Sequence, residues 1–161
     1  MPRGAILNSL LVGISFFAVA ARAAEPAKPS VVPLKDSEAD ATKFHGTWQV
    51  KSLVRDGKKT DPLESADVRL IFSDDQYTYK DKNGDRHQGT FTVDASKPIA
   101  VMRTTLAGGP NRGKSTSRIY KWVDADTVMF CSPGPTEPQP DRFESPAGSG
   151  RELSVWVREK S

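Results

Sequence analysis

The sequence predicts an all-β domain, an antiparallel barrel of about eight strands, and three observations carry that expectation. From residue 46 onward, short runs of alternating apolar and polar residues recur, each bounded by turn residues. The connections between runs are too short for the crossovers that parallel strands require. So many hairpin-linked strands leave exposed edges unless the sheet closes on itself, which favours a barrel. A sandwich shares the same strand pattern, and periodicity alone does not separate the two.

The elements follow in order. Trp48, Val50, Ser52 and Val54 fall on one face of the first strand, opposite Gln49, Lys51 and Arg55, and Asp56-Gly57 ends it as a turn pair. Val68, Leu70 and Phe72 mark the second, closing at Ser73-Asp74-Asp75. Tyr77 and Tyr79 share a face of the third, and Asn83-Gly84 predicts a type I′ hairpin into Arg86–Val93, where Gly89, Phe91 and Val93 align. Pro98 opens a fifth run over 99–106, apolar on both faces until Arg103. A Gly-rich loop leads to a sixth over 117–123, and Asp124-Ala125-Asp126 turns it into a seventh over 127–131. Five prolines and three glycines between Ser132 and Gly150 argue against regular structure there, with Arg142-Phe143 as a pin to the barrel. Leu153, Val155 and Val157 mark the last strand, with Trp156 on its other face.

The N-terminal part reads differently. Arg3 precedes a largely apolar stretch, Ala5 to Ala20, and Ala21-Arg22-Ala23 offers the small residues of a cleavage site. Residues 1–23 are therefore expected to be a secretory signal peptide, which places the domain in the periplasm or outside the cell. A membrane anchor is the rival reading, but Asn8, Ser9 and Ser15 interrupt an apolar core already short for a span. Residues 24–41 read as a linker with three prolines and the start of a short helix over 37–43, where Ser37 and Asp40 have capping-box spacing. The β domain is assigned to 42–161. Cleavage would remove Arg3 and Arg22 and no acid, lowering the net charge from +3 by two, to +1. A near-neutral chain gives no electrostatic footprint for nucleic acid. The lone Cys131 cannot close an intramolecular disulfide.

Gly46-Thr47-Trp48 opens the first strand after the short helix, and Arg158 ends the last. In lipocalins a G-x-W motif stands at this place, its Trp plugging the barrel floor beneath a basic residue from the final strand. Phe44-His45-Gly46-Thr47-Trp48, Arg69-Leu70-Ile71-Phe72, Gly89-Thr90-Phe91, Gly113-Lys114, Ile119-Tyr120, Phe143 and the Ser145–Gly150 stretch extend the match. Together they resemble an uncharacterised lipocalin-like family of small exported proteins, abundant in planctomycetes. That resemblance implies a barrel closed by Gly46, Trp48 and Arg158, and it brings no activity with it. The helix that lipocalins place before the final strand has no counterpart in the Pro-rich segment.

Chemical motifs are sparse. Gly108 to Ser115 matches the P-loop pattern G-x-x-x-x-G-K-[ST], but the following residues alternate as a strand, whereas the phosphate site needs a helix there. It reads as a loop, with Arg112, Lys114 and Arg118 able at most to hold a small anion. Asp81-Lys82-Asn83-Gly84-Asp85 has the wrong register for a calcium loop. His45 and His87 lack metal-ligand spacing, so neither a metal nor a cofactor is expected. No nucleophile-elbow sequence or carboxylate pair indicates an enzyme.

The candidate interior is Tyr77, Tyr79, Phe91, Met102, Arg103, Tyr120 and Trp122. These side chains either pack a solid core or wall a pocket. An inward Arg103 beside a tyrosine hydroxyl would grip a carboxylate, as in fatty-acid-binding proteins; an outward Arg103 on a polar surface is the other reading. The expected function is therefore non-enzymatic binding of a small apolar or amphipathic ligand. The alternative is a filled barrel acting as an interaction module of the cell envelope, suggested by aromatics on both faces of the runs 119–123 and 153–157.

Overall fold

A computed structural model describes residues 35–61 and 66–160, apart from the side chains at 35, 36, 85 and 86. The expected signal peptide and most of the linker lie outside the described residues. Among the described residues one helix, α1 (Lys35–Phe44), precedes nine strands: β1 (Gly46–Arg55), β2 (Lys58–Lys59), β3 (Arg69–Ser73), β4 (Gln76–Asp81), β5 (Gly84–Asp94), β6 (Ala100–Leu106), β7 (Ser115–Asp124), β8 (Thr127–Ser132) and β9 (Glu152–Arg158). Among the described residues no helix is long and apolar enough to cross a membrane.

All strand pairs are antiparallel, running β1-β3-β4-β5-β6-β7-β8-β9. β9 then pairs back to β1 from Trp48↔Arg158 to Arg55↔Glu152, which closes an eight-stranded barrel. β2 is a two-residue hairpin arm on β1. Closure leaves no long edge to be covered, and the domain is held without disulfides. The barrel reading is thus the correct one, and the sandwich is not formed.

Three local departures refine the predicted elements. The β1–β9 register shifts between Val50 and Ser52, so Lys51 is an extra residue and the facing reverses beyond it. Leu53 joins the core and Arg55 turns to the barrel mouth, whereas alternation had aligned Ser52 and Val54 with Trp48 and Val50. The β4–β5 hairpin turns on Lys82-Asn83, one residue earlier than expected, with Gly84 in the left-handed region behind it (φ 102°). The type I′ pair is instead Asp56-Gly57, with φ of 52° and 78°. α1 starts at Lys35, so Ser37 lies inside it and serves no capping box. Its Oγ accepts the Ala95 backbone amide (3.1 Å), tying the helix to the end of β5.

The core divides in two. Inside the barrel, Phe44, Trp48, Phe72, Phe91, Tyr120 and Phe130 pack with neighbouring aliphatic side chains. Outside it, Val101, Ile119 and Cys131 form a patch sealed by Phe143 and Leu153. Phe143 therefore pins the Pro-rich 133–150 segment to β6–β8. The Cys131 Sγ is buried and donates to the Glu144 carbonyl oxygen at 3.4 Å.

Gly89 shows how tightly the wall is built. A Cβ there would collide with the Thr105 carbonyl of β6 and stand 2.9 Å from the Tyr77 ring. Gly89→Ala is expected to destabilise the domain by about 2 kcal/mol, since backbone must move. Gly108→Ala, surrounded by open space, is expected to stay near neutral. Urea unfolding midpoints of the two variants check the contrast.

Candidate ligand site

The two ends of the barrel differ because α1 fills one of them. At one end α1 acts as a stopper. Its final residue, Phe44, is fully buried and meets the rings of Trp48, Phe72, Phe91, Tyr120, Trp122 and Phe130 at centroid distances of 4.7 to 6.4 Å. A helix end leaves carbonyls without partners, and here the barrel supplies donors. Trp48 Nε1 donates to the Phe44 carbonyl (2.7 Å), and the Arg158 guanidinium donates to those of Lys43 (2.5 Å) and His45. The same guanidinium lies 4.3 Å from the Trp48 ring centroid and pairs with Asp126. Gly46 is needed beneath it: φ is 120°, and a Cβ would sit 3.2 Å from Arg158 Nη1.

Asp40, one turn before Phe44, fixes the stopper from the other side. Its carboxylate accepts from Tyr120 Oη (2.7 Å), Trp122 Nε1 (3.2 Å) and Lys43 Nζ (2.7 Å). Burial alone would raise the Asp40 carboxyl, but these hydrogen bonds hold it below the ordinary value of 3.8. The Tyr120 phenol is pushed far above its usual range, by burial first and then by the Asp40 carboxylate.

Toward the other end no described helix enters, and the barrel is hollow. A cavity of about 520 Å³ opens between the aromatic core and the mouth, a size typical of small-molecule sites. Leu70, Leu106 and Trp156 give it apolar wall, and Tyr77, Thr104 and Arg118 give it polar groups. Glu152 and Arg55, register partners on β9 and β1, pair at the mouth at 2.5 Å. Lys114 and the Pro133 and Pro135 edge of the long loop complete the rim.

Arg118 is the unusual member of this wall. It follows Thr116 and precedes Tyr120 and Trp122 on the inward face of β7, placing its charge where the cavity meets the solid core. Its guanidinium lies 5.8 Å from the Phe130 ring centroid. The Nε is enclosed and has no hydrogen-bond partner among the described residues. Burial disfavours the charged form, opposed by the fields of Glu152 and Tyr77. Arginine keeps its proton even so, so the site holds a half-buried cation whose enclosed Nε lacks an acceptor. Burial also raises the Tyr77 phenol, with Arg118 and a Thr104 hydrogen bond drawing the other way.

The predicted interior residues therefore separate. Tyr77 and Tyr79 line the cavity, whereas Phe91, Met102 and Tyr120 are packed in the solid half and Trp122 lies against the stopper. Arg103 is exposed on the outer face of β6 and does not reach the cavity. The interior arginine is Arg118, which sequence reasoning placed with the loop cations. Of those, Lys114 sits at the rim and Arg112 is exposed on the β6–β7 loop. That loop leads into a strand, so the P-loop pattern here has no helix to aim amides at a phosphate. Tyr120, Trp122 and Trp156 all face inward, which removes the two-sided aromatic surface proposed for β7 and β9. Among the described residues no group of three or more His, Cys, Asp or Glu side chains could hold a metal ion.

No family model, curated protein or solved structure matches this chain. The fold and the cavity stand on their own geometry.

Proposed function

We propose that the domain is a non-enzymatic, lipocalin-like binding barrel that takes a small amphipathic ligand through its open end. The observation that carries this reading is the half-hollow interior: the barrel is stoppered by α1 at one end and leaves about 520 Å³ at the other. A barrel serving only as a scaffold fills itself with side chains along its whole length. The export expected from residues 1–23, and the resemblance to the exported family, suit a binding role outside the cytoplasm.

Trp156 lines the cavity and reports on it. Titration with a panel of fatty acids, isoprenoids and pigments is expected to shift the tryptophan emission saturably for at least one class. Thr116→Trp, which sets a ring into the cavity, is expected to abolish that response while the fold survives. Silence across the whole panel would refute the proposal.

A further inference from the structure

The hollow end contains an electrostatic imbalance that the fold itself does not resolve. Three cationic side chains, Arg55, Lys114 and Arg118, line the cavity with one carboxylate, Glu152. Glu152 is engaged by Arg55, which donates to it from both Nε (3.2 Å) and Nη2 (2.5 Å). Arg118 feels the fields of Glu152 and Tyr77 and lies against the Phe130 ring, but its enclosed Nε has no acceptor. Removing a cation from water without a partner costs several kcal/mol in general, so such a group is retained in a cavity for something that completes it.

From this placement we infer that the cavity selects a small organic anion, a carboxylate on an apolar tail, with the head seated on Arg118. The inference rests on the binding reading above and names its ligand class. Arg118 marks the floor of the cavity, so the carboxylate enters first. A planar guanidinium presents paired donors that match a carboxylate, and Tyr77 of β4 lines the same cavity to add a further contact. The tail then runs past Leu70, Leu106 and Trp156 toward the mouth. Lys114 at the rim adds a favourable field on entry. The Arg55–Glu152 pair keeps the carboxylate of Glu152 from competing for Arg118.

Three probes of equal chain length, sodium decanoate, 1-decanol and decylamine, separate head-group charge from tail burial. Each is titrated by tryptophan emission or calorimetry below its aggregation concentration. The full described domain is expected to bind decanoate roughly tenfold to a hundredfold more tightly than decanol, and decylamine more weakly than either. Arg118→Met, close in volume, is expected to bring decanoate down to the affinity of decanol while leaving decanol unchanged. Its unfolding midpoint is expected to match or exceed that of the unmodified protein, because a half-buried charge with an unsatisfied Nε has been removed. Arg118→Lys, which keeps the charge but not the fork, is expected to retain part of the preference and serves if the methionine variant fails to fold. Equal binding of decanoate and decanol would overturn the anion selectivity and leave the binding role standing. A preference that survives Arg118→Met would equally overturn the seat at Arg118. Silence toward all three probes would overturn the binding role, and this inference with it.

Discussion

Trp48→Ala is expected to destabilise the domain by about 4 kcal/mol, a large loss at the closed end of the barrel. Deleting a large buried aromatic side chain costs roughly 3 to 5 kcal/mol through lost burial and the cavity left behind. Trp48 is fully buried against Phe44 and Trp122. It also holds the Phe44 carbonyl through Nε1 and carries the Arg158 guanidinium on its ring face, and both are lost in the same variant. Against a typical net stability of about 5 to 15 kcal/mol, this leaves the fold marginal. Trp48→Phe keeps a ring under Arg158 but no donor for the carbonyl, and about half that loss is expected. Urea unfolding followed by far-ultraviolet circular dichroism measures both. A cost below about 1 kcal/mol for the alanine variant would mean that the helix end is not docked on Trp48.

Asp40→Ala is expected to cost about 3 kcal/mol at neutral pH, since it strands the buried Tyr120 hydroxyl and the Trp122 indole N–H without an acceptor. The pH dependence has a definite sign. The Asp40 carboxyl in the folded protein lies below its ordinary value of 3.8, so the unfolded chain takes up the proton first as pH falls. Its contribution is complete above the ordinary value and is lost as pH drops through the folded one. The stability gap between the native protein and Asp40→Asn is therefore expected to be flat from neutral pH to about pH 5 and to shrink below pH 4. A gap that instead widened on acidification would contradict the hydrogen bonding assigned to Asp40.

Much of the fold was legible because the physics is local. All eight barrel strands fall where alternation and turn residues put them, and Gly46, Trp48 and Arg158 meet at the closed end. The bulge at Lys51 was not legible: an extra residue reverses the facing, and Val54 is as apolar as Leu53, so alternation had nothing to break the tie. The charged interior was within reach but misassigned. Met102 and Arg103 are adjacent on one unbulged strand, so they cannot both point inward, and choosing Met102 sends Arg103 out. The same period-two rule applied to β7 links Trp122 and Tyr120 to Arg118, and on β9 it links Trp156 to Glu152. Whether the interior is filled was beyond the sequence, because cavity volume depends on how residues from eight strands meet.

Arg118 stands in the hollow barrel end with its Nε enclosed and without an acceptor. The direct measurement is the ¹⁵N–¹H resonance of Arg118 Nε, followed during a decanoate titration and assigned by its loss in Arg118→Lys. An enclosed Nε–H is expected to exchange slowly with solvent and be visible near neutral pH, then to shift saturably as the carboxylate arrives. A resonance that exchanges as fast as those of the exposed Arg103 and Arg112, or that stays fixed while decanoate perturbs only the outer surface, would contradict the account.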